Sequence, residues 1–182
     1  MRLFVGIELS GELKQTLLEF QSKLKELGVR GLWKSVENFH ITLEFLGEID
    51  PNAVPLLKEV LSKGTKNIKP FNLYLGGVGA FPSFRRPHTL WTAVGGDLKE
   101  LQRLRDDVHL ELSKNGFELE ERKFKPHITL ASRPVLDDID LSAIQSIKLG
   151  EFLVEDVILF ESRAVRGKRV YTDLHRQNLL GG

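Results

Sequence analysis

The tetrapeptide His40-Ile41-Thr42-Leu43 returns unchanged as His127-Ile128-Thr129-Leu130. Each copy lies in a run that reads as a strand: Phe39-His40-Ile41-Thr42-Leu43-Glu44-Phe45-Leu46 and Pro126-His127-Ile128-Thr129-Leu130-Ala131. Side chains alternate across a strand, so the His and Thr of each copy share a face, about 6–7 Å apart. Ile41, Leu43 and Phe45 then point into a core, as do Ile128 and Leu130, and Glu44 falls on the His40 face. One His-x-Thr on a strand is ordinary, because Thr is favoured there for its β-propensity. Two identical copies in a chain of 182 residues predict a site with two matched halves.

The surroundings repeat as well. The histidines stand 87 positions apart, and the same offset carries Leu3 onto Leu90, Ser10 onto Asp97, Leu17 onto Leu104 and Asp50 onto Asp137. Residues 2–9 read as a strand, and Ser10 caps a helix whose apolar stripe (Leu13, Leu17, Phe20, Leu24, Leu27) stops at Gly28. A short link containing Trp33 leads to the first His strand, closed by Gly47. Asp50-Pro51 opens a second helix striped by Val54, Leu57, Val60 and Leu61, and a strand follows around Phe71–Leu75. The order then returns: a strand over Thr89–Val94, and a helix with Asp97 and Glu100 as a capping box, striped by Leu101, Leu104, Val108 and Leu112 and ended by Asn115-Gly116. After the second His strand come a short helix near Leu141–Ile147 with Asp140 as cap, a strand through Phe152–Phe160, and a last strand near Arg169–Leu174. A β-α-β-α-β unit used twice, at roughly 1–80 and 88–165, predicts one two-lobed domain over 1–182 with a pseudo-two-fold axis. A solenoid would need more copies.

Composition narrows the setting. With 41% hydrophobic and 28% charged residues and no long apolar run, the chain reads as globular and offers no membrane span. Met1-Arg2-Leu3-Phe4-Val5-Gly6-Ile7 runs straight into a helix signal, without the basic start and apolar core of a secretion signal, so the expected compartment is the cytoplasm. The absence of cysteine excludes disulfides, thiolate nucleophiles and Cys-ligated zinc. A net charge of +1 argues against bulk capture of duplex nucleic acid and leaves room for a local basic patch.

If the halves pack with the His strands central, His40, Thr42, His127 and Thr129 converge. Imidazole titrates near pH 6.5, so one neutral ring can take a proton from water while a charged one gives a proton to a leaving oxygen. Two threonine hydroxyls can hold the non-bridging oxygens of an anion. A phosphodiester fits, because its attacking and leaving oxygens lie on opposite sides of phosphorus. A metal site would want three or four ligands, whereas each strand here offers one His, with Thr where a second ligand would stand. Glu44 has Ala131 as its counterpart. No metal and no cofactor are expected.

The doubled motif resembles the 2H phosphoesterases, in particular the RNA 2′,3′-cyclic phosphodiesterases historically called 2′-5′ RNA ligases. The matching stretches are Asn38–Gly47, with its Phe-Leu-Gly ending, and Phe124–Ala131. Arg2–Ile7, Gly79-Ala80-Phe81-Pro82, Leu90-Trp91, and Gly167 leading to Tyr171 match too, so the likeness spans nearly the whole chain. It implies an α+β fold: two lobes of mainly antiparallel strands flanked by helices, with the active site in the groove between them. It implies a metal-independent enzyme that opens a terminal 2′,3′-cyclic phosphate on RNA to a 2′-phosphomonoester, with reversible 2′-5′ ligation through the same groups. The residues alone leave open which His is the acid; the resemblance makes His127 the base and His40 the acid, with Thr42 and Thr129 on the phosphoryl oxygens. Family members often carry Arg five residues after the second His, where this chain has Ser132; Arg133 follows, on the His127 face if the strand continues regularly.

The loop Phe81–Pro87 places Phe84 and Arg86 as candidates for stacking on a base and meeting phosphate, with Phe81 buried beneath. Lys123 and Lys125 flank the second motif and can steer an RNA backbone, Lys125 being the stronger candidate. Trp33 and His88 read as structural, and His109 and His175 have no partner nameable from sequence. The expected partner is a single-stranded RNA end carrying the cyclic phosphate, bound by a monomer. The competing readings are a phosphodiesterase of small cyclic nucleotides or 2′-5′ oligonucleotides, and a non-catalytic RNA-end binding module.

Overall fold

Apolar alternation builds two antiparallel sheets, and the helices cover one side of them. A computed structural model describes residues 1–181. Among them, nine strands and three α-helices follow in the order β1 (Arg2–Glu8), α1 (Gly11–Glu26), β2 (Arg30–Trp33), β3 (His40–Glu48), α2 (Val54–Thr65), β4 (Phe71–Phe81), β5 (Thr89–Gly96), α3 (Leu98–Lys114), β6 (His127–Val135), β7 (Lys148–Val154), β8 (Asp156–Val165) and β9 (Lys168–Asn178). One sheet has the order β3-β1-β8-β9 and the other β2-β6-β5-β4-β7; every pairing is antiparallel. The α+β architecture is the expected one.

The sheets draw on both sequence repeats. Strand β4 joins the sheet of β5 and β6, while β8 and β9 complete the sheet of β1 and β3. The run read as a single strand through Phe152–Phe160 is two strands, one in each sheet, meeting at Glu155. The link containing Trp33 is a strand, β2, whose four residues are too few to show a period. The short helix after Asp140 is a single 3-10 turn, Ser142–Ile144, although Asp140 does accept from the Ser142 N–H at 2.9 Å. One apolar core runs through both halves, from Leu3, Val5 and Ile7 on β1 and Ile41 on β3 to Leu17 on α1, Leu57 on α2, Leu104 on α3, and Ile128 and Leu130 on β6.

Ser10 caps α1 by accepting from the Leu13 N–H at 3.2 Å, as its sequence position predicts. The capping box at Asp97 does not form. The Asp97 carboxylate turns to β4 and accepts from the Asn72 N–H at 3.1 Å, a tertiary bond that replaces the local one.

The decisive irregularity is a β-bulge in each His strand. On β3, Val5 faces Glu44 and Gly6 faces Thr42, so Leu43 is the extra residue; on β6, Leu90 faces Ala131 and Trp91 faces Thr129, so Leu130 is extra. A bulge shifts the alternation by one residue. The expectations for Glu44 and Phe45 are therefore reversed: Glu44 is buried at 4% exposure, and Phe45 is 57% exposed on the same side as His40.

Candidate active site

Both histidines line one groove of about 900 Å³ between the sheets, together with Thr42, Thr129, Phe45 and Ser132. Each ring is held from behind by its own strand. His40 donates from Nδ1 to the Asn38 carbonyl at 2.8 Å, and His127 from Nδ1 to the Lys125 carbonyl at 2.6 Å. These bonds leave the neutral tautomer with a bare Nε2 on both rings. The Thr42 hydroxyl donates to His40 Nε2 at 2.8 Å. No hydrogen bond to His127 Nε2 forms among the described residues.

Aromatic rings wall both imidazoles. Phe4 lies against His40 at 4.8 Å between centroids, and Tyr171 meets it edge-on at 5.1 Å. Phe4, Phe160 and Ile158 make a small apolar cluster on the groove side of their sheet, with Tyr171 packed against it. Around His127 the parts are Phe81, edge-on at 4.8 Å, and Trp91 at 6.0 Å. Trp91 is the repeat partner of Phe4. Its indole lies over Gly79, where an added Cβ would come within 2.0 Å of the ring, so only glycine admits this wall.

Burial lowers the pKa of both rings, because a charged imidazole loses hydration there. His40 is pushed down to about 4; its bond to the Asn38 carbonyl opposes the shift, and the charges of His127, Lys14 and Lys34 add to it. Both rings line the same groove, so a charge on one disfavours a charge on the other. His127 is lowered by the same desolvation, opposed by its bond to the Lys125 carbonyl. Near pH 7 the unliganded site holds two neutral imidazoles.

A second cavity of about 610 Å³ continues the groove, sharing Thr42, Phe45, Thr89 and His127 with the first and adding Phe81, Phe124, Lys123 and Lys125. The arrangement can hold an anion between two imidazole Nε2 atoms and two hydroxyls, with aromatic surface on either side. Comparison with known proteins agrees. The family model for LigT-like phosphoesterases matches residues 7–91 and 96–171. An RNA 2′,3′-cyclic phosphodiesterase of Archaeoglobus fulgidus is 36% identical over 96% of this chain and 98% of its own. The chain belongs to the LigT-like phosphoesterase family. Among solved structures, TT0787 of Thermus thermophilus superposes with a TM-score of 0.82 at 28% identity, covering 100% of this chain and 99% of that one. E. coli LigT complexed with 3′-AMP superposes at 0.77 and 25% identity, covering 98% of this chain and 97% of that one.

Within this LigT-like frame, the structure brings His40, Thr42, His127 and Thr129 to one groove and sets Lys125 in its extension, with Nζ 5.8 Å from the Phe81 ring centre. It does not bring Arg133 there. The bulge at Leu130 puts Ser132 on the groove face, and Arg133 turns out to solvent at φ 48°, its N–H bonded to the His88 carbonyl at 2.9 Å. Nor does it bring Phe84 or Arg86. Their loop closes on itself, with His88 N–H on the Phe81 carbonyl at 2.7 Å and Arg86 N–H on Ser83 Oγ at 3.4 Å, and both side chains stay exposed and line neither cavity. Phe81, expected beneath the loop, is half-buried and walls His127 instead.

Sequence reasoning missed Phe4, Trp91 and Tyr171 as ring walls, although the 87-residue offset pairs Phe4 with Trp91 and so carried a signal. It also missed His109. That ring donates from Nδ1 to Glu44 at 2.8 Å, while Arg105 makes an ion pair with the same carboxylate at 3.4 Å. Burial raises the pKa of Glu44 despite both partners. This cluster fills the space under the first bulge. Under the second, the Gln21 amide does the corresponding work, donating to the Leu130 and Lys34 carbonyls at 3.0 Å each.

Proposed function

We propose that the protein hydrolyses a terminal 2′,3′-cyclic phosphate on RNA to a 2′-phosphomonoester, by metal-independent acid–base catalysis between His40 and His127. The observation that supports this best is the pairing of two bulged strands that present two unprotonated imidazole Nε2 atoms, one of them bonded to the Thr42 hydroxyl, and two threonines to one groove. The Archaeoglobus fulgidus relative is named an RNA 2′,3′-cyclic phosphodiesterase, which fits the substrate class.

One ring's Nε2 removes a proton from water as its oxygen bonds to phosphorus. The P–O3′ bond breaks, and the other ring's Nε2 delivers a proton to O3′. Thr42 and Thr129 hold the non-bridging oxygens as their charge grows. On the family pattern His127 is the base and His40 the acid. For that role His40, held near 4 in the free site, must gain its proton as the anionic phosphate arrives to offset its desolvation. The reverse assignment has one observation in its favour: His40 carries the larger depression and so is the ring more readily left as a base. A substrate with sulfur in place of O3′ decides between them, because a thiolate leaves without an acid. The variant whose activity it restores, His40→Ala or His127→Ala, identifies the acid.

The substrate is a single-stranded end rather than a mononucleotide, since two joined cavities extend the groove beyond the His pair and end in Phe81, Phe124, Lys123 and Lys125. We further propose that it works as a monomer in the cytoplasm; among the described residues no helix is long and apolar enough to cross a membrane. The test is incubation of the pure protein with cyclic-ended RNA in chelator. A 2′-phosphate product supports the proposal. No product, or a 3′-phosphate, ends it.

A further inference from the structure

The groove that receives the phosphate holds one lysine with no counter-ion among the described residues. Lys34 follows β2 directly, and its backbone is fixed on both sides: its N–H donates to the Leu130 carbonyl at 2.9 Å and its own carbonyl accepts from Gln21 Nε2 at 3.0 Å. Gln21 is itself buried at 1% exposure. The lysine side chain is half-buried and lines the groove with His40, Thr42, His127, Thr129 and Ser132.

The other cations near the site are differently placed. Lys14, whose charge also reaches His40, is paired with Glu8 at 3.2 Å. Arg122 is paired with Glu120. Arg2 and Arg169 line the groove but are exposed, and Arg169 leans on Ser162 Oγ at 3.5 Å. On the neighbouring strand, Ser132 brings a hydroxyl to the groove but no charge, and the β2–β6 register sets Leu32 opposite it. The Lys34 ammonium therefore stands in the groove without a carboxylate partner among the described residues, free to pair with an arriving anion.

We propose that Lys34, presented from the edge of the second His strand, is the cation that binds the substrate's phosphate in this chain. The inference rests on the phosphodiesterase reading and adds a binding residue to it. Lysine serves here as a point charge that pairs with a phosphoryl oxygen, leaving the threonine hydroxyls and the two rings for the reacting atoms.

Two measurements test it. Inorganic phosphate is titrated into the protein while the His40 and His127 ring resonances are followed, and kcat/KM is measured on cyclic-ended RNA. Lys34→Gln is expected to weaken phosphate binding and lower kcat/KM, each about tenfold or more, and Lys34→Arg to stay within about threefold of wild type. Placing the charge on the adjacent strand, as Lys34→Gln with Ser132→Arg, is expected to recover most of the loss, which a purely structural lysine would not allow. Wild-type behaviour of Lys34→Gln in the phosphate titration overturns the proposal, as does a loss that neither arginine restores. Should the wild type bind phosphate but turn over no cyclic-ended RNA, the functional reading falls while the titration still decides the role of Lys34.

Discussion

His40 is packed between Phe4 and Tyr171, accepts a hydrogen bond from Thr42 and is held near pKa 4; His127 stands between Phe81 and Trp91 with its Nε2 unbonded among the described residues. The strands that carry them share a tetrapeptide and a bulge at the same place. They differ in what fills the space behind it. Behind Leu43 the bulge turns Glu44 inward, and Arg105 and His109 of α3 neutralise it. Behind Leu130 the equivalent residue is Ala131, and Gln21 reaches from α1 to the Leu130 carbonyl, which also accepts from the Lys34 N–H. The comparison teaches that the bulge is the shared element of the pseudo-symmetry, since it sets which residues face the groove. Its support is free to differ, because either an ion cluster or an amide can satisfy a buried polar group.

The largest expected effect treats the halves alike. His40→Ala and His127→Ala should each lower kcat on cyclic-ended RNA by about 10³–10⁴ in steady-state assays while leaving affinity for a phosphate end within tenfold. A variant that keeps turnover within tenfold of wild type breaks the symmetry of the site. Stability should expose the difference between the supports. Glu44→Ala removes the buried partner of Arg105 and His109, leaving them only the more exposed Asp106 and Glu121, and should cost about 3 kcal/mol, whereas Gln21→Ala removes two neutral hydrogen bonds and should cost about 1–2 kcal/mol, both read from urea unfolding. An equal or reversed order would show that the ion cluster is not what holds the first bulge.

The pH dependence separates the rings. Unfolded, His40 takes up its proton near the ordinary value of 6.5; folded, it resists until about 4. The unfolded state therefore binds more protons in that window, and stability falls as pH drops from about 6.5 to about 4, by up to about 3 kcal/mol. His127 acts in the same direction with the smaller shift. His40→Asn should flatten the acid limb of the stability curve more than His127→Asn does; the opposite result would reverse the burial order. The smallest effects belong to Arg133→Ala and Phe84→Ala, which should change kcat/KM less than about threefold because both side chains lie outside the groove.

How much was legible in the sequence differs from part to part. The strands and helices of the repeat could be read because their apolar periods are local, and the four central residues because a duplicated His-x-Thr is rare. The faces beyond each tetrapeptide could not be read, since a bulge inverts the side chains that follow it until another shift intervenes, as at Leu46 on β3. Glu44, Phe45, Ser132 and Arg133 all changed sides for that reason. Loop residues Phe84 and Arg86 had suitable chemistry for RNA, but a loop's direction is set by its closing hydrogen bonds, which leave no periodic trace.

The amino-acid sequence by itself determined the duplication, the helical stripes, the two His-x-Thr pairs and, through them, the kind of reaction, because each depends on residues close together in the chain. Only the tertiary structure decided how strands from the two repeats mix in each sheet, which rings wall the histidines and which cations line the groove. Those are long-range contacts between residues as distant as Gln21 and Leu130 or Glu44 and His109, and no local pattern encodes such a meeting.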